Sequence, residues 1–192
     1  GELSADTLTA LGVSRAQIID LASTHNPYGP PKAVTQARAG IDQRHYPDAT
    51  ALPARRALAE RFATTPEQVV LGHGANELIW SSTRVLLRAS ETALVVEPGH
   101  PELGAAVRAC GASVLQWRAV ERTGHRVDLE QIGELLLLEK PALVALCAPA
   151  TPSGVSVPWD ELHALAVRFP ETRFVIDQSQ LALSEDFADL ER

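Results

Sequence analysis

The chain has 192 residues, with 17 Lys and Arg against 24 Asp and Glu, so its net charge is −7 at pH 7 with histidine neutral. The length predicts one domain, or one domain with a short appendage, and the 45% hydrophobic content excludes general disorder. The acidic balance excludes a general attraction to nucleic acid or to an anionic membrane. No apolar run reaches the ~20 residues of a membrane span.

The start of the sequence and the two cysteines indicate where in the cell the protein is located and whether the sequence is part of a longer chain. The sequence starts with no basic segment followed by an apolar core, so we expect no signal peptide and a cytoplasmic protein. Cys110 and Cys147 stand in apolar runs without metal-ligand spacing, which favours buried free thiols over a disulfide. The absence of methionine suggests that residue 1 is not a natural start and that the chain is part of a longer one.

The first 50 residues are rich in turns and predict an arm or a partial small domain. They contain the segments Asn26-Pro27-Tyr28-Gly29-Pro30-Pro31 and Tyr46-Pro47-Asp48, with a helix near residues 33–39 between them. A helix over 52–62 then opens a larger domain, which we expect to span 51–192.

Beyond residue 68, short apolar runs alternate with helical patterns. The predicted strands are 69–71, 93–96, 113–117, 143–147 and 173–176, and the predicted helices are 75–87, 101–110, 128–138 and 158–169. Nearly continuous apolar strands between helices indicate that both faces of the sheet are covered. The sequence therefore predicts an α/β fold of three layers, with a mostly parallel sheet between helices.

A glycine-rich turn, Gly-His-Gly-Ala-Asn-Glu at 72–77, links the first predicted strand to a helix. Backbone N–H groups and the positive end of a helix suit a phosphate group. The dinucleotide fingerprint also places glycines here, and Glu97 lies 20 residues after Glu77, but Glu77 stands where its third glycine is needed. We favour another kind of phosphate site, with a nucleotide site and a plain structural turn as alternatives.

Three further strand ends carry chemistry at the sheet edge where ligands of open α/β sheets bind. Asp177 follows the last predicted strand, and a buried carboxylate there needs a cationic partner such as a protonated pyridine nitrogen. Thr151 lies in a loop with two prolines and a glycine, and His100 stands between a strand and a helix. The alternatives are a carboxylate that caps the next turn, a loop that is only structural, and a capping or surface histidine.

These motifs together resemble the fold-type-I pyridoxal-phosphate enzymes of the class I/II aminotransferase family. Within that family, they look most like the branch of histidinol-phosphate aminotransferase and threonine-phosphate decarboxylase. The likeness runs from about residue 21 to about residue 186 and includes both N-terminal segments, the glycine turn, the Pro-Ser-Gly loop and Asp177. It implies the large domain of a transferase that depends on pyridoxal 5′-phosphate, incomplete at its C-terminus. It also implies amino acid and oxo acid as small-molecule substrates.

The resemblance assigns most of a cofactor site. Gly74, Ala75 and Asn76 would hold the phosphate of the cofactor, and Asp177 would pair with its ring nitrogen. His100 would stack on the ring, where the family has Tyr or Phe.

The remaining assignments concern the rim of the cofactor and the arm. Thr151 stands where the family has an asparagine that bonds the phenolic oxygen of the cofactor, and Gln180 stands near a family tyrosine. Tyr46 of the partner subunit would reach the phosphate, which implies a homodimer. Asn26 and Tyr28 would contribute to the substrate pocket.

The catalytic lysine that the family joins to its cofactor as a Schiff base is not expected within this chain. It should follow Asp177 by a few tens of residues, past Arg192, while Lys32 lies in the arm and Lys140 precedes a strand at its opposite end. We expect the intact protein to transfer an amino group between an amino acid and a 2-oxo acid, with phosphorylated substrates among the candidates. The 192-residue chain alone should be inactive. The alternatives are decarboxylation of a phosphorylated amino acid and a non-catalytic binding or dimerisation module.

Overall fold

A computed structural model describes residues 3–19, 26, 28–42 and 44–184 of the chain. Its contacts divide the chain into two units, Gly1–Ala51 and Leu52–Arg192. This division lies one residue from the predicted boundary.

The first unit contains helices α1 (Ala5–Leu11) and α2 (Lys32–Ala39) and the 3-10 turn Arg15–Gln17. Helix α2 confirms the helix predicted near 33–39, whereas α1 was not predicted. The signals for α1 are present, because Ser4 accepts a hydrogen bond from the Thr7 amide at 3.1 Å and Gly12 ends the helix with a φ of 66°. None of the described side chains in this unit is buried, so no core pattern marks the helix.

The second unit confirms four of the five predicted strands and every predicted helix, each end within one residue. Its elements in chain order are α3 (Leu52–Arg61), α4 (Ala75–Leu86), β1 (Thr92–Glu97), α5 (Pro101–Ala109), β2 (Ser113–Arg118), α6 (Leu129–Glu139), β3 (Leu143–Cys147), α7 (Trp159–Arg168) and β4 (Arg173–Asp177).

The strand predicted at 69–71 is wrong. Val69 has extended backbone after the 3-10 turn Pro66–Gln68, but no strand pairing in the described chain includes these residues. Val70 is 74% exposed and Leu71 is 41% exposed. An apolar run becomes a strand only where a neighbour pairs with its N–H and C=O groups, and local sequence cannot supply that neighbour.

The four strands form one parallel sheet in the order β2-β1-β3-β4. From β1 the chain crosses to β2 on one side, then returns to β3 on the other side of β1. The direction of the crossovers therefore reverses between β1 and β3. The carboxyl ends of these two strands form the crevice where ligands bind in open α/β sheets.

Helices cover both faces of the sheet, which confirms the predicted three-layer α/β fold. Alternate strand residues point to opposite faces. Ala93, Val95, Leu143, Ala145 and Cys147 pack with side chains of α4 and α5. Leu94, Val96, Val144 and Leu146 pack with side chains of α6 and α7. All five residues of β3 are buried, so β3 is the centre of the core.

The described residues also bear on membranes, metals and disulfides. No helix in this part of the chain has the length and apolar character to cross a bilayer. No group of His, Cys, Asp and Glu side chains within it could hold a metal ion. Both cysteines are free thiols, as predicted, with Cys147 buried and Cys110 partly buried.

Candidate functional site

The N-terminus of α4 forms an open turn. Gly74 is the N-cap residue, with φ 86° and ψ 172°, a conformation that is essentially restricted to glycine. A Cβ atom at Gly74 would meet nothing within 4 Å, so the turn is open on this side. No N-cap side chain bonds to the first amides of the helix. These amides and the positive helix end together form a position suited to an anion. That Gly74, Ala75 and Asn76 hold a phosphate, as the family resemblance implies, stays a prediction.

The side chains around this turn disfavour a dinucleotide site. Glu77 folds back over the turn, where its Oε2 accepts hydrogen bonds from the His73 amide and from His73 Nδ1, the latter at 2.8 Å. The backbone hydrogen bond, followed by the bond from the ring, lowers the pKa of Glu77. Glu97 is also engaged, because its Oε2 accepts from Arg118 Nε at 3.0 Å. Both carboxylates are therefore already engaged by neighbouring groups, which disfavours a ribose hydroxyl as their partner.

Asp177 is the last residue of β4 and pairs in register with Cys147 of β3. Its Oδ1 accepts a hydrogen bond from the Ser179 amide at 2.9 Å, so it does cap the following turn, as one of the two interpretations proposed. Its Oδ2 faces the Cys147 thiol at 3.6 Å, and a thiol is a weak donor. No basic side chain in the described chain pairs with this half-buried carboxylate. It retains the capacity to bind a cationic group.

One cavity brings the turn and the carboxylate together. A cavity of about 740 Å³ lies between α4 and β4 and is lined by Gly74, Ala75, Asp177 and Ser179 and by apolar side chains of both elements. An anion at the helix end and a cation at the carboxylate could therefore belong to one ligand. Asn76, His100, Thr151 and Gln180 do not line this cavity.

His100 is the N-cap residue of α5. Its Nδ1 accepts a hydrogen bond from the Glu102 amide at 3.3 Å, which is the capping role considered as an alternative. Its own amide donates to Cys147 Sγ at 3.0 Å. The ring is partly buried at the carboxyl end of β1, beside the crevice.

Thr151 and Gln180 also follow strands that end at this edge. The loop after β3 is closed by hydrogen bonds from the Ala150 amide to the Val155 carbonyl at 2.8 Å and from the Gly154 amide to the Ala150 carbonyl at 2.7 Å. Thr151 lies within this loop and is partly buried. Gln180, also partly buried, precedes the 3-10 turn Leu181–Leu183.

The predicted residues of the arm lie in the first unit. Asn26 Oδ1 accepts from the Tyr28 amide at 3.0 Å, and Asn26 Nδ2 donates to the Gly29 carbonyl at 3.1 Å, so the segment is a closed turn. Pro27 of this motif lies outside the described residues. Tyr28 is 94% exposed and Tyr46 is 99% exposed. Their roles stay predictions.

The two lysines occupy positions that agree with the sequence analysis. Lys32 begins α2 in the first unit. Lys140 follows α6 with a φ of 46° and precedes β3, so it lies at the amino edge of the sheet. Asp177 lies at the opposite, carboxyl edge, and Lys140 therefore does not reach it.

Cys147 is the site residue that the sequence analysis missed. It was predicted only as a buried thiol, yet its sulfur contacts both the His100 amide and the Asp177 carboxylate. Burial is the main cause that raises the pKa of this thiol to about 11. Only part of the signal was available: Cys147 ends one predicted strand and Asp177 directly follows another, but local sequence does not show that these two strands pair.

The fold and site define a three-layer α/β domain with an open helix N-terminus and a carboxylate lining one cavity at the carboxyl edge of its sheet. The sequence model of the family described as aminotransferase class I and II matches residues 16–178. The chain belongs to this family.

Similar proteins carry related names. Histidinol-phosphate aminotransferase 2 of Carboxydothermus hydrogenoformans is 29% identical over 182 residues, covering 93% of this chain and 49% of the relative. Histidinol-phosphate aminotransferase of Methanopyrus kandleri is 34% identical over 158 residues, covering 74% of this chain and 40% of the relative. The chain thus spans about half the length, or less, of these curated relatives.

Solved structures agree on the fold. Histidinol-phosphate aminotransferase from Sinorhizobium meliloti, in complex with pyridoxal-5′-phosphate, has a TM-score of 0.72 at 25% identity, covering 80% of this chain and 42% of the other. L-threonine-O-3-phosphate decarboxylase from Porphyromonas gingivalis has a TM-score of 0.60 at 22% identity, covering 74% of this chain and 40% of the other. The second likeness shows a shared fold only.

Proposed function

We propose that the whole protein is an aminotransferase that uses pyridoxal 5′-phosphate. The observation that carries the proposal is that Asp177 and the N-terminus of α4 line the same cavity. Asp177 has no ionic partner in the described chain, and the helix end carries no N-cap side-chain bond. Family membership supports the same cofactor.

The residues fit the two ends of this cofactor. Its phosphate would lie against the first amides of α4 at Gly74, Ala75 and Asn76, where the helix dipole favours negative charge. Its ring nitrogen would face Asp177, whose carboxylate would keep that nitrogen protonated. When bound, the cofactor withdraws electrons from the α-carbon of a substrate. The protein supplies the charge and the orientation that this requires.

The other residues have roles on the same basis. The His100 ring lies beside the crevice and would pack on the ring of the cofactor. The Thr151 hydroxyl and the Gln180 amide would serve as hydrogen-bonding groups near its phenolic oxygen, where a threonine holds the ligand less firmly than an asparagine.

The arm and the assembly belong to the same proposal. Tyr46 of the partner subunit would reach the phosphate, so the protein would act as a homodimer, and Asn26 and Tyr28 would meet the substrate. The high exposure of both tyrosine rings within the first unit is compatible with these roles. We propose a cytoplasmic location. Sedimentation of the whole protein tests the dimer, and a monomer would contradict it.

The substrate class follows from the relatives. Several of them bear the name histidinol-phosphate aminotransferase, so we propose an amino donor that carries a phosphate, with histidinol phosphate as the first compound to test. Decarboxylation is the less favoured activity, because the decarboxylases among the solved structures share only the fold.

A product assay tests the proposal. The whole protein is incubated with pyridoxal 5′-phosphate, histidinol phosphate and 2-oxoglutarate, and glutamate and carbon dioxide are both measured. O-phosphothreonine replaces histidinol phosphate in a parallel reaction. We expect one glutamate for each 2-oxoglutarate consumed and no carbon dioxide. Carbon dioxide without glutamate would identify a decarboxylase, and cofactor binding without either product would identify a non-catalytic module.

A further inference from the structure

The thiol of Cys147 lies where three strand ends of the candidate site meet. Its sulfur accepts a hydrogen bond from the His100 amide at 3.0 Å and lies 3.6 Å from Asp177 Oδ2. The Thr151 amide also lies close enough to the sulfur to lower the pKa of the thiol slightly. These three contacts are all with residues predicted to touch the cofactor, and the cysteine itself is only 3% exposed.

The fold brings this arrangement about in two ways. The parallel register of β3 and β4 places Cys147 directly opposite Asp177. The loop after β1 approaches closely because residue 99 is glycine. A Cβ there would lie 3.0 Å from the Val96 carbonyl and 3.5 Å from Cys147 Sγ. The sulfur is therefore enclosed by the ends of β1, β3 and β4.

The hydrogen-bonding capacity of a thiol determines what Cys147 can do here. The His100 and Thr151 amides are both donors, so toward them the sulfur acts as an acceptor. Its single hydrogen then has the Asp177 carboxylate as its acceptor. With a pKa of about 11, the thiol keeps this hydrogen at neutral pH.

We propose that Cys147 is a positioning residue that orients the Asp177 carboxylate toward the ring nitrogen of the cofactor. The Ser179 amide holds Oδ1 and the thiol holds Oδ2, so the plane of the carboxylate is fixed at two points. The inference rests on the proposed function, because it gives Asp177 the role of pairing with that nitrogen.

The test is a double-mutant cycle read by the affinity of the whole protein for pyridoxal 5′-phosphate. We expect Cys147→Ala to weaken binding roughly three- to tenfold, the effect of one hydrogen bond. Cys147→Ser retains a donor and should recover most of the affinity. In a D177A background, C147A should cause no further loss, because its effect passes through the carboxylate.

Two controls separate orientation of the carboxylate from general loosening. Cys110→Ser alters the chain's other thiol, which lies at the end of α5, and should leave affinity unchanged. A cofactor analogue with CH in place of the ring nitrogen should bind C147A and wild-type protein equally. Thermal unfolding of each variant shows whether it is folded. If Cys147→Ala does not fold, Cys147→Ser provides the variant for the test.

The outcomes distinguish the inference from the function on which it rests. If D177A weakens binding but C147A and C147S both equal wild type, the role of Cys147 is refuted. The role is also refuted if C147A causes the same loss of affinity in the D177A background as in the wild-type background. It is refuted likewise if C147A weakens binding of the analogue as much as it weakens binding of the cofactor. If wild-type protein itself does not bind the cofactor, the proposed function fails and this inference fails with it.

Discussion

Replacing Gly74 by alanine isolates the backbone of the turn that begins α4. The φ of 86° and ψ of 172° at this residue are essentially restricted to glycine. Holding a residue with a Cβ in such a region costs about 1–3 kcal/mol. A Cβ at Gly74 would meet no atom within 4 Å, so no steric clash adds to this cost. We expect the free energy of unfolding to fall by about this amount, or the turn to change conformation to relieve it.

The assay combines denaturant unfolding with binding of pyridoxal 5′-phosphate to the whole protein. A matched control is Gly124→Ala. Gly124 has a φ of 62° and a ψ of 30°, and its Cβ would also meet nothing. That change costs about 1–2 kcal/mol of left-handed strain, but Gly124 does not line the 740 Å³ cavity. Only Gly74→Ala should weaken cofactor binding, because only it moves the amides that would hold the phosphate.

Two results would refute this reasoning. If Gly74→Ala leaves both the unfolding free energy and the cofactor affinity unchanged, the conformation of the turn is not as described. If Gly124→Ala weakens cofactor binding as much as Gly74→Ala, strain alone explains the loss and the turn is not a phosphate site.

Three further predictions concern charged and titratable groups. Asp177→Asn should weaken binding of pyridoxal 5′-phosphate about ten- to hundredfold in equilibrium dialysis, the effect of one charged hydrogen bond. Glu171→Gln, which changes a carboxylate two residues before β4, at the opposite edge of the sheet, should not weaken binding, and equal effects would contradict the assignment. Because folding raises the pKa of the Cys147 thiol from 9.0 to about 11, the protonated thiol contributes its full stabilisation below pH 9. As the pH rises to 11, the free energy of unfolding of the wild type should fall by about 2–3 kcal/mol more than that of Cys147→Ser. Plots of unfolding free energy against pH that run parallel for the two proteins would contradict this. The pKa of Glu77 is lowered by folding, so its contribution to the free energy of unfolding is lost as the pH falls through that pKa. When the free energy of unfolding is measured against pH, Glu77→Gln should therefore show a smaller decrease at acid pH than the wild type.

The sequence was sufficient for the elements whose signals are local. Continuous apolar runs such as Leu143–Cys147, bounded by turn residues, were predicted to the residue because β3 is buried on both faces. The run at 69–71 looks similar, yet it is exposed, because strand formation depends on a partner that local sequence does not reveal. Helix α1 was missed for the converse reason. It has caps but no buried face, and the periodicity of a core face is the main sequence signal of a helix.

The candidate site was predictable in its parts but not in its connections. Asp177 was placed correctly at the carboxyl edge, because it follows a strand that forms. The turn at 72–77 was identified from its glycines and the helix that follows, but its approach to Asp177 depends on the packing of α4 against β4 and not on a strand at 69–71. The link through Cys147 depends on the sheet order and on the β3–β4 register, which sequence periodicity does not determine. His100 shows the same limit. Its cap on α5 was one of the expected alternatives, while its amide bond to the thiol was not.

The structure of the whole protein bound to pyridoxal 5′-phosphate tests the central claim most directly. We expect the phosphate on the backbone amides of Gly74, Ala75 and Asn76, and the ring nitrogen within hydrogen-bonding distance of the Asp177 carboxylate. A cofactor whose phosphate lies elsewhere, or whose ring nitrogen faces away from Asp177, would contradict the account.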